Sequence, residues 1–171
     1  MFTGRCRIPL SQVGEGVSTF TLSVGFTDLV GETDSRFPDN MVVEVEITPV
    51  DDDFLSRLRV STKIRLICDR CGETFSRELE GRVDTVYTQD PVRSGNEDAD
   101  MRWLPPEQNF IDVADDIRDA LILAVPDKCL CREDCKGLCV RCGANLNKTT
   151  CVCPKNKEDS RWDALKNIKF D

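Results

Sequence analysis

The sequence contains no histidine, although it has ten cysteines among its 171 residues. Without histidine there can be no Ser-His-Asp triad, no Cys-His nucleophile and no H-E-x-x-H zinc-protease motif. A metal site in this chain must use cysteine ligands, with or without a carboxylate. Zinc sites made only of cysteine are usually closed and structural. The composition therefore argues against the common hydrolytic enzymes.

Long apolar runs are also lacking. No run approaches the roughly 18 residues of a membrane helix, and the first ten residues lack the apolar stretch of a secretory signal. Hydrophobic residues make up 40% of the chain and charged residues 32%, which is typical of a globular protein. We therefore predict a cytoplasmic protein that has no membrane partner.

The net charge of -8 is unevenly distributed. Residues 126–171 carry ten Lys and Arg against seven Asp and Glu, whereas residues 1–125 carry thirteen against twenty-four. This distribution excludes a uniformly basic nucleic-acid binder but leaves a locally basic tail on an acidic body.

The cysteines divide the chain in the same way. Cys6 stands alone, Cys68 and Cys71 form a pair, and the other seven lie between Cys129 and Cys153. We predict a strand-rich body over residues 1–125 and a cysteine-rich, zinc-binding tail over residues 126–171.

Apolar and polar residues alternate through 41–48 and 57–68, which is the pattern of half-buried strands. The alternation resumes after Cys71, so residues 57–87 are predicted to form a long antiparallel hairpin with residues 68–72 at its tip. Residues 88–109 have no periodicity and contain Pro, Gly and a run of acids, which predicts a loop.

Two helices are predicted. The first covers about 112–124, with Asp112 as its N-cap, and the second is a short helix over 160–169. The predicted fold class is therefore α+β: an antiparallel strand-rich body with one central helix, followed by a Cys-rich zinc-knuckle segment that ends in a short helix.

One short motif occurs twice. Residues 68–72 read Cys-Asp-Arg-Cys-Gly and residues 139–143 read Cys-Val-Arg-Cys-Gly; we call them the first and the second knuckle. Two thiolates separated by two residues can both reach one zinc ion, and the following glycine permits a turn with positive φ. With four further cysteines they predict two structural Zn²⁺ ions. The predicted ligands are Cys68, Cys71, Cys131, Cys135, Cys139, Cys142, Cys151 and Cys153.

Two groupings of these ligands are open. In one, residues 139, 142, 151 and 153 form a local site, and residues 68, 71, 131 and 135 form the other. In the second, the two knuckles share one ion as a zinc ribbon. The lower loop-closure entropy of local ligands favours the first grouping. Disulfides, a redox C-x-x-C pair and an iron–sulfur cluster are the alternatives to zinc, and Cys6 and Cys129 are predicted to be ordinary thiols.

The tail resembles the YceD family, the bacterial and plastid large ribosomal RNA subunit accumulation proteins. Residues 134–147 carry the specific string D-C-K-G-L-C-x-x-C-G-x-N-L-N, and residues 67–75 resemble a second marker of the family. The resemblance covers most of the chain from about residue 41 onward.

The resemblance implies a non-enzymatic factor for synthesis, processing or stability of large-subunit (23S-type) ribosomal RNA, acting in ribosome assembly. Its implied partners are the pre-ribosomal large subunit, its rRNA or a ribosomal protein, such as a small zinc-ribbon protein of that subunit. No small-molecule substrate and no catalytic residue are expected. Basic residues near the predicted zinc sites are the candidate partner contacts: Lys136, Arg141, Lys148, Lys155 and Lys157.

A second function is also open. The thiols could belong to a zinc- or thiol-based redox-responsive regulatory protein, which would lose its metal on oxidation.

Overall fold

A five-stranded sheet is the main element of the computed structural model, which describes residues 4–93 and 101–154. Neighbouring strands run antiparallel except for the last pair, which is parallel. In spatial order, which is also chain order, the strands are β2 (Ser18–Val24), β3 (Met41–Val50), β4 (Asp53–Ile67), β5 (Thr74–Thr88) and β6 (Met101–Trp103).

The long hairpin of β4 and β5 confirms the alternation seen in the sequence. Leu58, Val60 and Ile64 are buried, whereas Arg57 and Arg59 between them are exposed. The strands pair from Asp53 opposite Thr88 to Ile67 opposite Thr74, so the hairpin is slightly longer than predicted. Its tip holds Cys68 and Cys71.

Helix α2 (Ala114–Ala124) covers the inner face of this hairpin and buries Ile117, Ala120 and Leu121. Its backbone passes very close to β5 at Gly81. A Cβ atom on that residue would lie 2.3 Å from the carbonyl oxygen of Ala120. The glycine in the middle of the strand therefore makes room for the helix, and close packing explains why the apolar pattern of β5 is interrupted there.

A buried carboxylate also ties α2 to the sheet. Asp116 accepts hydrogen bonds from the Tyr87 hydroxyl and, at 2.5 Å, from Arg102 Nε. Arg102 in β6 also donates to Asp119 at 2.8 Å. Burial raises the pKa of Asp116. The arginine and the tyrosine satisfy a group that would otherwise be costly to bury.

The N-terminal region adds elements that the sequence patterns did not predict. Two 3-10 turns (Gly4–Cys6 and Leu10–Gln12) flank β1 (Arg7–Pro9), and α1 (Phe26–Val30) follows β2. Strand β1 pairs antiparallel with β7 (Phe110–Asp112) in a separate two-stranded sheet.

Two local predictions were wrong. Residues 88–109 were predicted as a loop, yet Met101–Trp103 form β6. Three residues are too few to show periodicity, and the strand forms because it pairs with the end of β5. The predicted N-cap, Asp112, ends β7, and Val113 occupies the N-cap of α2. The Asp112 side chain still accepts from the Ala114 N–H at 3.2 Å.

The α+β class and the mostly antiparallel, strand-rich body are confirmed. The predicted helix over 160–169 lies outside the described residues. Over residues 4–93 and 101–154, no helix has the length and apolar character needed to cross a bilayer.

Candidate metal centres

The two knuckles have the same local structure. In the first, the Gly72 N–H donates to the Cys68 carbonyl at 2.8 Å; in the second, the Gly143 N–H donates to the Cys139 carbonyl at 2.8 Å. Both glycines have a φ of 70°. The turn with positive φ that the sequence predicts is therefore present twice, once at the hairpin tip and once in the tail.

The first cluster joins the hairpin tip to the tail. Its members are Cys68 and Cys71 from the tip and Cys131 and Cys135 from the tail, with all four sulfurs within 4.8 Å of one another. Cys68 Sγ lies 3.8 Å from Cys135 Sγ, and Cys71 Sγ lies 3.8 Å from Cys131 Sγ. Three of the four residues are buried.

Main-chain hydrogen bonds hold the tail against the first knuckle. The Asp69 N–H donates to the Cys129 carbonyl at 2.8 Å, and the Cys129 N–H donates to Asp69 Oδ2 at 2.6 Å. Arg70 Nη1 donates to the Cys135 carbonyl at 2.9 Å, and the Leu138 N–H donates to the Arg70 carbonyl at 3.1 Å. The two residues between the knuckle cysteines therefore bind main-chain groups of a tail segment that turns at residues 132–135.

The second cluster is local. It contains Cys139, Cys142, Cys151 and Cys153, again with all four sulfurs within 4.8 Å. The Cys151 sulfur lies 3.6 Å from that of Cys142 and 3.3 Å from that of Cys139. Cys142 is exposed and the other three are half-buried. The structure thus brings together the thiols of the first of the two groupings that the sequence left open.

Hydrogen-bond donors point at the sulfurs in both clusters. Asn147 Nδ2 donates to Cys135 Sγ at 3.3 Å, while its Oδ1 accepts from the Lys136 N–H at 2.8 Å. In the second cluster the Cys153 N–H donates to Cys151 Sγ at 3.3 Å. Asn147 is a supporting residue that spacing arguments on cysteine alone did not identify.

Other backbone N–H groups lower the pKa values of two cysteine thiols. The N–H of Cys131, followed by those of Cys71 and Arg70, lowers the pKa of Cys68 to about 6. Burial raises the pKa of Cys131 to about 12, with neighbouring thiols adding to the rise. The first cysteine of the second knuckle also has its pKa lowered to about 6, chiefly by the N–H groups of the third and fourth knuckle residues. A bound metal cation would offset the charge of the four thiolates that it needs as ligands.

The sulfur positions fit a tetrahedral metal ion. A Zn–S bond of about 2.3 Å and a tetrahedral angle place two ligand sulfurs about 3.8 Å apart. The two distances given above for the first cluster are both 3.8 Å, and those for the second are 3.3 and 3.6 Å. Each cluster could therefore hold one ion with all four positions filled by protein.

Three of the five basic residues predicted as partner contacts lie in the described part of the chain. Lys136, Arg141 and Lys148 are exposed, and Lys148 Nζ pairs with Glu73 next to the first knuckle. Lys155 and Lys157 lie outside the described residues. The thiols of Cys6 and Cys129 belong to neither four-cysteine cluster.

Fold and site together define a small α+β protein with two four-cysteine clusters, one of which links a hairpin tip to the tail. Residues 56–169 match the family described as "Large ribosomal RNA subunit accumulation protein YceD". The chain belongs to the YceD family.

Two plant proteins are similar to this chain. One, from Arabidopsis thaliana, is 30% identical over 161 residues, covering 78% of this chain and 50% of its own length. The other, from Zea mays, is 31% identical over 126 residues, covering 57% and 43% respectively. Both are named "Large ribosomal RNA subunit accumulation protein YCED homolog 1, chloroplastic". The chain thus spans about half the length of these relatives, and no solved structure matches it.

Proposed function

We propose that this protein is a non-enzymatic factor for the synthesis, processing or stability of large-subunit ribosomal RNA. In this proposal it acts during ribosome assembly by binding pre-rRNA or a ribosomal protein. The family match over residues 56–169 carries the proposal, since the family and both plant relatives are named for accumulation of that RNA.

The proposed cofactor is Zn²⁺, one ion in each cluster. In a four-iron cluster each cysteine binds a different iron atom, which holds the sulfurs farther apart than four ligands on one ion. Sulfur distances of 3.3–3.8 Å favour a single ion with sulfur ligands, and zinc is the usual ion in a closed four-cysteine site. A closed site has no open position for substrate, which supports a structural role.

In the proposed division of the chain into a body of residues 1–125 and a tail of residues 126–171, the first ion joins the two parts. Two of its ligands come from each part. Metal binding would fix the tail on the hairpin tip and so position the basic residues proposed as partner contacts. All ten cysteines are free rather than disulfide-bonded, in keeping with the proposed cytoplasmic location.

The test is to deplete the protein in cells and measure large- and small-subunit rRNA. We expect large-subunit rRNA to fall relative to small-subunit rRNA, and the wild-type gene to restore it. An unchanged ratio after complete depletion would contradict the proposed function.

Complementation with charge variants then tests the proposed contacts. Lys136→Glu with Arg141→Glu should fail to restore the ratio. Lys63→Glu with Arg65→Glu, an equal charge change on two exposed residues of β4, is the matched control and should restore it. Equal behaviour of the two double variants would place the contact elsewhere.

One observation favours the second candidate, a thiol-based redox-responsive regulator. Cys142 is exposed, so an oxidant can reach the second cluster directly. If this candidate is right, mild peroxide should release about one zinc ion per chain reversibly and change partner binding. Zinc release without any change in partner binding would leave the assembly factor as the better account.

A further inference from the structure

The second knuckle carries an exposed apolar surface, in which Val140 stands where the first knuckle has Asp69. The side chain of Val140 is 87% exposed, and Leu138 beside it is 44% exposed. Both line a surface depression of about 300 Å³ at the second cluster, together with Leu146 and Pro154. Apolar side chains grouped on a surface commonly mark an interaction site.

The first knuckle shows what this motif can bind. Its two central residues, Asp69 and Arg70, make five hydrogen bonds with main-chain groups of the tail. The tail stretch that they hold includes Cys129 and Cys135. This knuckle is thus already occupied by a segment of polypeptide.

The corresponding positions of the second knuckle are Val140 and Arg141. In the part of the chain that the structure describes, no group accepts a hydrogen bond from the Val140 N–H, whereas the equivalent Asp69 N–H donates to the Cys129 carbonyl at 2.8 Å. Valine also replaces the aspartate that receives the tail's N–H group. The second knuckle therefore has the backbone geometry of the first but presents an apolar valine side chain where the first presents a carboxylate.

We propose that the second knuckle docks a polypeptide segment of a partner protein, as the first knuckle docks the chain's own tail. The Val140 N–H would donate to a carbonyl of that segment, and Leu138 and Val140 would cover one of its apolar side chains. This inference rests on the proposed role as a binding factor and deepens it by naming the class of partner.

The surroundings favour polypeptide over RNA. Proteins bind single-stranded nucleic acid largely by stacking bases on aromatic rings. Residues 126–154 contain no Phe, Tyr or Trp.

The test uses the zinc-loaded full chain and short random linear peptides displayed on phage. Enriched peptides are synthesised, and their binding is measured by fluorescence anisotropy to the wild type and to Val140→Asp. This variant copies the residue found in the first knuckle, so the metal site should tolerate it, and zinc content checks this. Val92→Asp is the matched control, because Val92 is also exposed, at 77%.

We expect enriched peptides to contain an apolar residue and to bind Val140→Asp at least about tenfold more weakly than the wild type and the control. Three results would overturn the inference: no enriched peptide, peptides that bind both variants equally, or a Val140-dependent dimer of the chain itself. A single-stranded RNA oligonucleotide that binds in a Val140-dependent way while no peptide does would assign the surface to RNA and overturn it too. The rRNA ratio after depletion is a separate measurement, so failure of this inference and failure of the proposed function can be told apart.

Discussion

The two cysteine clusters use the same knuckle but take their other ligands from different distances along the chain. The first joins Cys71 to Cys131 across 60 residues and is mostly buried. The second is confined to residues 139–153 and exposes Cys142. The same turn thus serves in one place to fasten two parts of the molecule and in the other to build a small surface unit. The consequences of losing either site should differ accordingly.

The largest expected difference is between ligand variants of the two clusters. Cys135→Ser should remove one zinc ion, release the tail from the hairpin tip and lower the melting temperature by at least about 10 °C, because structural zinc sites contribute directly to folding. Cys142→Ser should also remove one ion but should leave the melting of the body almost unchanged. Zinc content and thermal melting measure both effects. Equal destabilisation by the two variants would contradict the expectation that only the first cluster stabilises the body.

Chelator kinetics should separate the clusters next. The exposed second cluster should lose its metal faster than the first, so a coloured chelator should report two phases of about one ion each. The faster phase should vanish in Cys142→Ser and persist in Cys135→Ser. A single phase of two ions in the wild type would show that the sites do not differ in access.

A pair of glycine variants tests the contact between the tail and the first knuckle. Gly137 and Gly143 have similar positive φ values, 74° and 70°. A Cβ atom on Gly137 would lie 2.9 Å from the Arg70 carbonyl oxygen, whereas one on Gly143 would meet nothing within 4 Å. Gly143→Ala should cost about 1–2 kcal/mol for the left-handed backbone alone.

Gly137→Ala should cost about 1–3 kcal/mol more, because the tail must also move away from the knuckle. Denaturant unfolding of the zinc-loaded proteins gives both values. Equal costs would mean that the close approach of Gly137 to Arg70 contributes nothing to stability.

The smallest expected effect concerns the ion pair between Lys148 and Glu73, which also bridges the tail and the hairpin. The hydrogen bond and charge of Glu73 raise the pKa of Lys148. The Lys148 side chain is largely exposed and that of Glu73 is partly exposed, and ion pairs at the surface contribute little. Glu73→Gln should therefore retain two zinc ions and melt within experimental scatter of the wild type. A clear loss of the first ion would show that this pair, and not the cysteine cluster, fastens the tail.

The sequence predicts the parts of this fold that depend on local pattern. Alternation in 57–68 predicts β4 because one face of the hairpin is buried against α2, and the repeated C-x-x-C-G predicts both knuckle turns. Strand β6 was missed because three residues cannot show a period, and β1 with β7 because their pairing joins segments about 100 residues apart.

Loop-closure entropy favours the grouping of the cysteines that the structure also brings together, but the contacts that dock the tail on the hairpin tip cannot be predicted from spacing. The bonds between Asp69 and Cys129 and between Arg70 and Leu138 are largely made by the backbone, so residue types do not reveal them. The sequence did not identify Asn147 as a hydrogen-bond donor to Cys135 for a similar reason. Its side-chain amide lies twelve residues away along the chain and reaches the Cys135 sulfur only once the tail has folded.

The most direct test of the account is to replace zinc with ¹¹³Cd and to correlate each cadmium resonance with cysteine β-protons by NMR. The account predicts two resonances of equal intensity, one coupled to Cys68, Cys71, Cys131 and Cys135 and the other to Cys139, Cys142, Cys151 and Cys153. A resonance coupled to both Cys68 and Cys139 would show that the two knuckles share one ion, and would contradict it.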